Sequence, residues 1–531
     1  MSVLPIVDRE LRVTARRKGI YWMRFYAALS MLLIWLVVLL NTNLAARGQM
    51  GHYLLTSLGV LALAMSMLAG VFLTADSLSE EKREGTLGLL FLTDLKAYDV
   101  VLGKMAAHSL HAFFGLLAML PILGLTILMG GVTGKEFSRV ALVFIATLFF
   151  SLSLGMAVSA VCREARQAIT TTFFLMLLFA GLMPALWWLQ RMTINDSRLN
   201  FLLWPSPVGA YMAALDNAYK YGKGAQFFWS SLGTIFCLGL IAILLANFVL
   251  PRSWHDKVQV KKAKRRWFKR ASRETRFTPF KYVLHYEPAF WLAVRDPSPE
   301  RAGRRMVLLL MPAWFCALLI SITTHWAHEG YIMALFVAYG LHLSVKVLLA
   351  VEASRRMNQD RRSGAWELLL VTPLSVKSIL AGQRKALWLH FRGVFLALFS
   401  VNMLMLMAAL IFHKHLGMSS DDQWMFADMF AGGIAVLLMD FYALGWVGMW
   451  GGLKAKQHHN AVVRTLGQVM LPPLVLVFLL FAIQPNFRSI AGPMIAMALW
   501  FGMGMALDMA SGMIARRRLL AEFRAAALLN R

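Results

Sequence analysis

Met31-Leu32-Leu33-Ile34-Trp35-Leu36-Val37-Val38-Leu39-Leu40 carries no charge and shows no alternation of apolar and polar positions. It lies inside an apolar run over roughly residues 24–42, about the 20 residues that a helix needs to cross a ~30 Å hydrocarbon core. Lipid offers the backbone no hydrogen-bond partner, so only helices or closed barrels span it. A barrel strand would alternate polar and apolar side chains over about 10 residues, and this stretch does not. It is a membrane-spanning helix. Outward along the chain the same kind of run recurs at roughly 53–75, 105–129, 140–161, 167–190, 227–250, 306–324, 331–352, 386–412, 426–450, 461–483 and 490–513, which predicts about twelve spans. Composition agrees: of 531 residues 59% are hydrophobic and only 15% charged, with a mean hydropathy of +0.61. The predicted fold class is an all-α polytopic membrane protein.

The formal net charge is +27, from 54 Lys and Arg against 27 Asp and Glu. No nucleic-acid recognition motif accompanies it, and cytoplasmic loops of membrane proteins gather Lys and Arg, so nucleic acid is not an expected partner. Arg9, Arg12, Arg16, Arg17 and Lys18 place the N-terminus in the cytoplasm. Alternate loops then agree, with Lys82 and Arg83, Arg163 and Arg166, Arg361 and Arg362, Lys454 and Lys456, and finally Arg516–Arg518. Both termini are therefore expected inside. The basic run Lys261-Lys262-Ala263-Lys264-Arg265-Arg266 followed by Trp267-Phe268 suits a linker lying against anionic lipid headgroups. The expected organisation is a first six-helix module over 1–250, a cytoplasmic linker over 251–285, a second module over 286–515 and a basic tail over 516–531. Short interfacial helices are expected around Leu4, Val7 and Leu11, and around Phe290, Trp291 and Val294. The outer loop 191–226, with Trp204-Pro205-Ser206-Pro207, is expected to fold back onto the membrane face. Cys162, Cys237 and Cys316 show no C-x-x-C spacing, which supports neither a disulfide framework nor a zinc site.

An internal repeat decides the architecture. Gly85-Thr86-Leu87-Gly88-Leu89-Leu90-Phe91-Leu92-Thr93-Asp94-Leu95 aligns with Gly364-Ala365-Trp366-Glu367-Leu368-Leu369-Leu370-Val371-Thr372-Pro373-Leu374, an offset of 279 residues. At that offset Glu81 meets Asp360, Lys82 meets Arg361, Arg83 meets Arg362 and Gly103 meets Gly382. Each copy follows the second span of its half, which predicts two parallel six-helix repeats. Each loop reads as a charged run, a turn at glycine and a short amphipathic helix. Leu87, Leu90 and Phe91 are expected to rest on the membrane helices, with charged neighbours facing the cytosol.

The run from Glu81 through Leu95 to Gly103-Lys104 resembles the loop between the second and third helices of ABC-2 type transporter permeases. The second copy is similar, from Arg362 through Thr372-Pro373-Leu374 to Gly382, but has Gln383-Arg384-Lys385 where Gly-Lys is expected, and its last outer loop is short. The resemblance implies two permease modules fused in one chain, with two cytosolic ATP-binding cassette subunits that use the ATP as expected partners. It also implies export across a bacterial cytoplasmic (inner) membrane, with no cofactor bound directly by the chain. The implied ATPase-coupling residues are Glu81, Arg83, Gly85, Thr86, Leu90 and Thr93, and Asp360, Arg362, Gly364, Glu367, Leu369, Thr372 and Pro373. An ATPase within the chain is not expected: the nearest approach to a phosphate-binding loop, Gly130–Glu136, has the wrong spacing and no hydroxyl after its lysine.

Four charges fall inside predicted spans: Lys346, Arg392, Asp440 and Asp508. Charge in hydrocarbon is costly and marks either a structural ion pair or an ion or substrate path. No paired aspartates and no His-Glu-x-x-His are visible on a span, which sets intramembrane hydrolysis aside. Two other functions fit a six-plus-six architecture. One is an ion-coupled secondary transporter, disfavoured by the extra helix between Asp76 and Lys104; the other is a non-transporting membrane scaffold.

Overall fold

The computed structural model describes residues 50–92, 96–184, 201–253, 287–294, 327–412, 420–455, 458–483 and 491–528, with residue 187 and short pieces of 28–36 and 303–319. All regular secondary structure among these residues is helical. In chain order the helices are α1 (Met50–Ala69), α2 (Ser77–Glu84), α3 (Thr86–Leu92), α4 (Ala97–Leu128), α5 (Gly134–Val161), α6 (Ala165–Leu177), α7 (Pro207–Ala214), α8 (Asp216–Tyr219) and α9 (Gly224–Ser253). They continue as α10 (Pro288–Val294), α11 (Ala327–Arg362), α12 (Ala365–Val371), α13 (Val376–Phe412), α14 (Ser420–Lys454), α15 (His458–Ile483) and α16 (Ala491–Leu528).

Among the described residues nine helices are long and apolar enough to cross a membrane, and they coincide with nine of the twelve expected spans. The span expected at 461–483 lies within α15. Those at 24–42 and 306–324 fall largely outside the described residues, as do the linker 254–286 and the first interfacial helix.

The chain divides into two compact units, one drawn from Met1–His255 with Val475–Ser489 and the other from Asp256–Leu474 with Ile490–Arg531. In the first, α5 is central and packs against α9, α1 and α4. Small residues bring α1 and α5 backbone to backbone: a Cβ on Gly155 would lie 2.5 Å from the Gly70 carbonyl oxygen. A π turn over Gly70–Thr74 breaks the regular ladder there, and α5 satisfies the displaced groups. The Gly70 amide donates to Ser151 Oγ at 2.8 Å, and the Thr74 hydroxyl donates to the Leu152 carbonyl at 2.9 Å. Without water in the bilayer, such cross-helix bonds replace solvent.

Within the loop expected over 191–226, the described residues 201–223 pack against the long helices. Ser206 caps α7, accepting from the Gly209 amide, and Ala210 and Ala214 are fully buried. The Tyr211 hydroxyl donates to the Leu55 carbonyl of α1 at 3.0 Å. Gly59 leaves room for that ring, since a Cβ there would sit 2.1 Å from the tyrosine oxygen.

In the second unit α14 is central, against α16, α11 and α13. Its glycines again permit close approach: a Cβ on Gly452 would lie 2.2 Å from the Ser354 carbonyl oxygen of α11. The expected interfacial helix before the seventh span is present as α10. Its buried residues are Ala289 and Ala293, whereas Phe290 and Trp291 are half-buried. The reason is α13, where Gly382 lets the α10 backbone approach so closely that only alanine fits between.

Candidate functional site

Both loops adopt one local conformation. Gly85 has φ +74° and Gly364 φ +72°, the left-handed region open to glycine at little cost. Each glycine is followed by a seven-residue helix, α3 at Thr86–Leu92 and α12 at Ala365–Val371. The next span then begins at Ala97 in one unit and Val376 in the other. All three landmarks keep the offset of 279 read from the sequence.

Anchoring is also alike. Leu87 and Trp366, equivalent by that offset, are both buried. Leu87 joins a core cluster with Leu78, Val101, Met105, Ala246 and Leu250, against which Phe91 also packs. Trp366 donates its indole N–H to the Met357 carbonyl at 3.1 Å and meets Phe523 of α16 edge-on, with ring centroids 5.3 Å apart. The cation three residues before each glycine does the same work twice. Lys82 donates to the Ala160 carbonyl at the C-terminal end of α5. Arg361 donates to the carbonyls of Leu453 and, at 2.7 Å, Ala455 at the end of α14. A helix C-terminus leaves carbonyls unsatisfied and partly negative, so a cation there ties the loop to the helix end.

The outward faces carry apolar side chains as well as charges: Leu89 is 64% and Leu92 80% exposed, and their equivalents Leu368 and Val371 are 75% and 87% exposed. Several of the charges also make internal contacts. Arg83 makes a two-pronged contact with Asp76, at 2.8 and 3.0 Å. Glu81 pairs with Lys104 at 2.7 Å and accepts from the Thr86 hydroxyl. In the second unit Gln383 stands in the place of Lys104 and Asp360 in that of Glu81, so this ion pair has no counterpart. Arg362 and Glu367 are exposed, as are Thr372 and Pro373; the Thr372 hydroxyl donates to the Leu369 carbonyl at 2.6 Å and closes α12. Leu90 lies within α3, and Thr93 lies outside the described residues.

Sequence reasoning passed over Asp76, Trp366 and Phe523. The last two carried a signal, since an aromatic at 366 in place of leucine needs a larger pocket, but its partner is far along the chain.

Of the four charges inside spans, three come together. Lys346 Nζ of α11 lies 2.6 Å from Asp440 Oδ2 of α14, and the Asp508 side chain of α16 is within hydrogen-bonding reach of Asp440. Both aspartates are buried. Arg392 is exposed on α13 and does not join them.

Residues 23–249 match the ABC-2 family transporter protein family. No curated protein matches the chain. The match covers the first unit's loop helix and the spans around it.

Proposed function

We propose that the chain is a membrane permease of the ABC-2 type, a reading supported by the match over residues 23–249 and by the apolar helices, and that α3 and α12 are the elements through which separate ATP-binding cassette subunits drive it. Proteins of this family work in general with such subunits. The proposal assigns one ATPase to each loop helix, two per chain, a second permease module in the second half, export as the direction and a bacterial inner membrane as the location.

One observation carries it. A short helix, braced by a buried residue and a cation on a helix end, presents the same pair of exposed apolar side chains in both units. Exposed apolar pairs on a rigid helix, at positions i and i+3, suit insertion into a groove on a soluble partner. Rigidity matters because a mobile loop would absorb the partner's motion instead of passing it to the spans.

The test is affinity purification of the chain from its native membrane with assay of the co-purifying ATPase. Leu89→Asp with Leu92→Asp, and separately Leu368→Asp with Val371→Asp, should each lower the bound ATPase by about half. These side chains are exposed, so the variants keep the fold. No ATPase on the wild-type chain overturns the proposal and favours the ion-coupled or scaffold alternatives, which a flux assay separates.

A further inference from the structure

We propose that Lys346, Asp440 and Asp508 form a membrane-embedded site that binds one exchangeable proton, held between the two carboxyl groups.

The geometry is specific to the second unit. The ammonium of Lys346 sits 2.6 Å from Asp440, and Asp508, on the packed helix α16, lies within hydrogen-bonding reach of the same carboxyl. Exposure of the two aspartates is 4% and 2%. One ammonium neutralises one carboxylate. A second ionised carboxylate against the first, in apolar surroundings, would be both repelled and unpaired, a cost of several kcal/mol. Two carboxyl groups bond directly only with a hydrogen between them. The charge state that satisfies every contact is therefore ammonium on Lys346, carboxylate on Asp440 and carboxylic acid on Asp508, whose O–H donates to Asp440. Release of that proton to water changes the cluster from neutral to −1, and uptake restores it.

The surroundings favour a proton over other ligands. A metal ion would have to displace the lysine, and among the described residues no group of three or more His, Cys, Asp and Glu side chains could hold one. A cavity lined by Lys346, Asp440, Phe391, Phe395 and Leu437 adjoins the pair and gives it space that is otherwise apolar. Other ionisable groups on the packed helices have partners or positions of their own: Glu352 of α11 pairs with Arg355 and Arg356, His390 of α13 lies 3.0 Å from Arg356, and Asp360 lies about four turns beyond Lys346 along α11. On α11, His342 faces Asn402 of α13, whose amide nitrogen lies 2.8 Å from Nε2. On α13, Arg384 donates to the carbonyls of Phe441 and Tyr442, and Arg392 is exposed. Among the described residues of the first unit, Asp76 caps α2 and the other buried charges, Asp99, Lys104, Glu136, Arg139 and Arg166, lie in the first three turns of their helices, so the mid-span trio belongs to the second unit.

The test uses infrared difference spectroscopy of the full chain in lipid nanodiscs across mildly acidic to mildly alkaline pH. The wild type and an Asp360→Asn variant, which removes the half-buried carboxyl at the far end of α11, should share a protonated-carboxyl carbonyl band that shifts in heavy water and diminishes as pH rises. Asp508→Asn should abolish it while keeping the thermal unfolding temperature near that of the wild type, because the amide can still donate to Asp440. Asp440→Asn should also abolish it, since Asp508 then ionises against Lys346. Absence of the band in the wild type, a band that does not respond to pH, or one that survives in Asp508→Asn overturns the proposal. The readout is independent of any ATPase, so failure here leaves the coupling proposal standing, and the reverse.

Discussion

At the scale of single residues, the two loops are told apart by one side chain. Lys104 and Glu81 are a mostly buried ion pair, with side-chain exposures of 8% and 14%. Lys104→Gln copies the residue that the second loop already has at Gln383, but it strands Glu81 without a counter-charge. A buried pair broken on one side costs about 3–5 kcal/mol. Thermal unfolding in nanodiscs should show that loss for Lys104→Gln and much less for the double variant with Glu81→Gln, whose amide no longer needs a cation. Asp216 gives a second prediction. Burial raises its carboxyl, but hydrogen bonds from Lys220, Arg139 and Thr133 outweigh it and hold the group below the usual carboxylate range. A depressed folded value contributes stability above the unfolded pKa of about 3.9 and loses it as pH falls through the folded one. Asp216→Asn should therefore be less stable at neutral pH, on the order of 1 kcal/mol, with the difference shrinking below about pH 4 in a series of melts.

Among the elements, the loop helices depend on what holds them. Seven residues are too few for a helix to persist in water without tertiary support, and α12 has that support from α16. Leu519 and Phe523 are buried at the far end of this 38-residue helix, with Trp366 against Phe523. Truncating a buried phenylalanine costs about 3–5 kcal/mol when the site cannot collapse. Phe523→Ala should loosen α12 first, seen as faster amide exchange over Ala365–Val371 with no change over Thr86–Leu92. Equal acceleration in both would sink the idea that α16 braces only its own loop. The expected amphipathic sense of α3 was half legible. Leu87 and Phe91 do pack inward, but the outward positions of α3 itself are leucines, because its charged neighbours precede Gly85, where Arg83 meets Asp76 and Lys82 the end of α5.

For the whole molecule, the alternation of basic loops makes a prediction about sidedness. Single cysteines placed near Gly222, between α8 and α9, and near Ser363, before α12, should label from opposite faces of the membrane. With the three native cysteines replaced, an impermeant maleimide applied to intact cells should modify the first site, and the second only after lysis. Labelling of both from outside would overturn the orientation read from Lys and Arg, and with it the cytoplasmic placement of the loop helices.

The sequence alone determined the helical membrane class, nine of the spans now seen as helices and the place of both loop glycines. These are properties of local runs: apolar length, charge between runs, and a motif repeated at a constant offset. What only the tertiary structure decided is which distant residues share a pocket. Lys346, Arg392, Asp440 and Asp508 read as charges at one depth of the second module, where mutual pairing is expected, but the sequence does not say which of them meet: α11, α14 and α16 bring Lys346, Asp440 and Asp508 together and leave Arg392 outside. The Trp366–Phe523 contact has the same origin. Helix periodicity fixes which face a residue occupies, but not which helix will lie against that face. That choice is made by close approach at Gly70, Gly155 and Gly452, whose missing side chains set how near neighbouring spans can come.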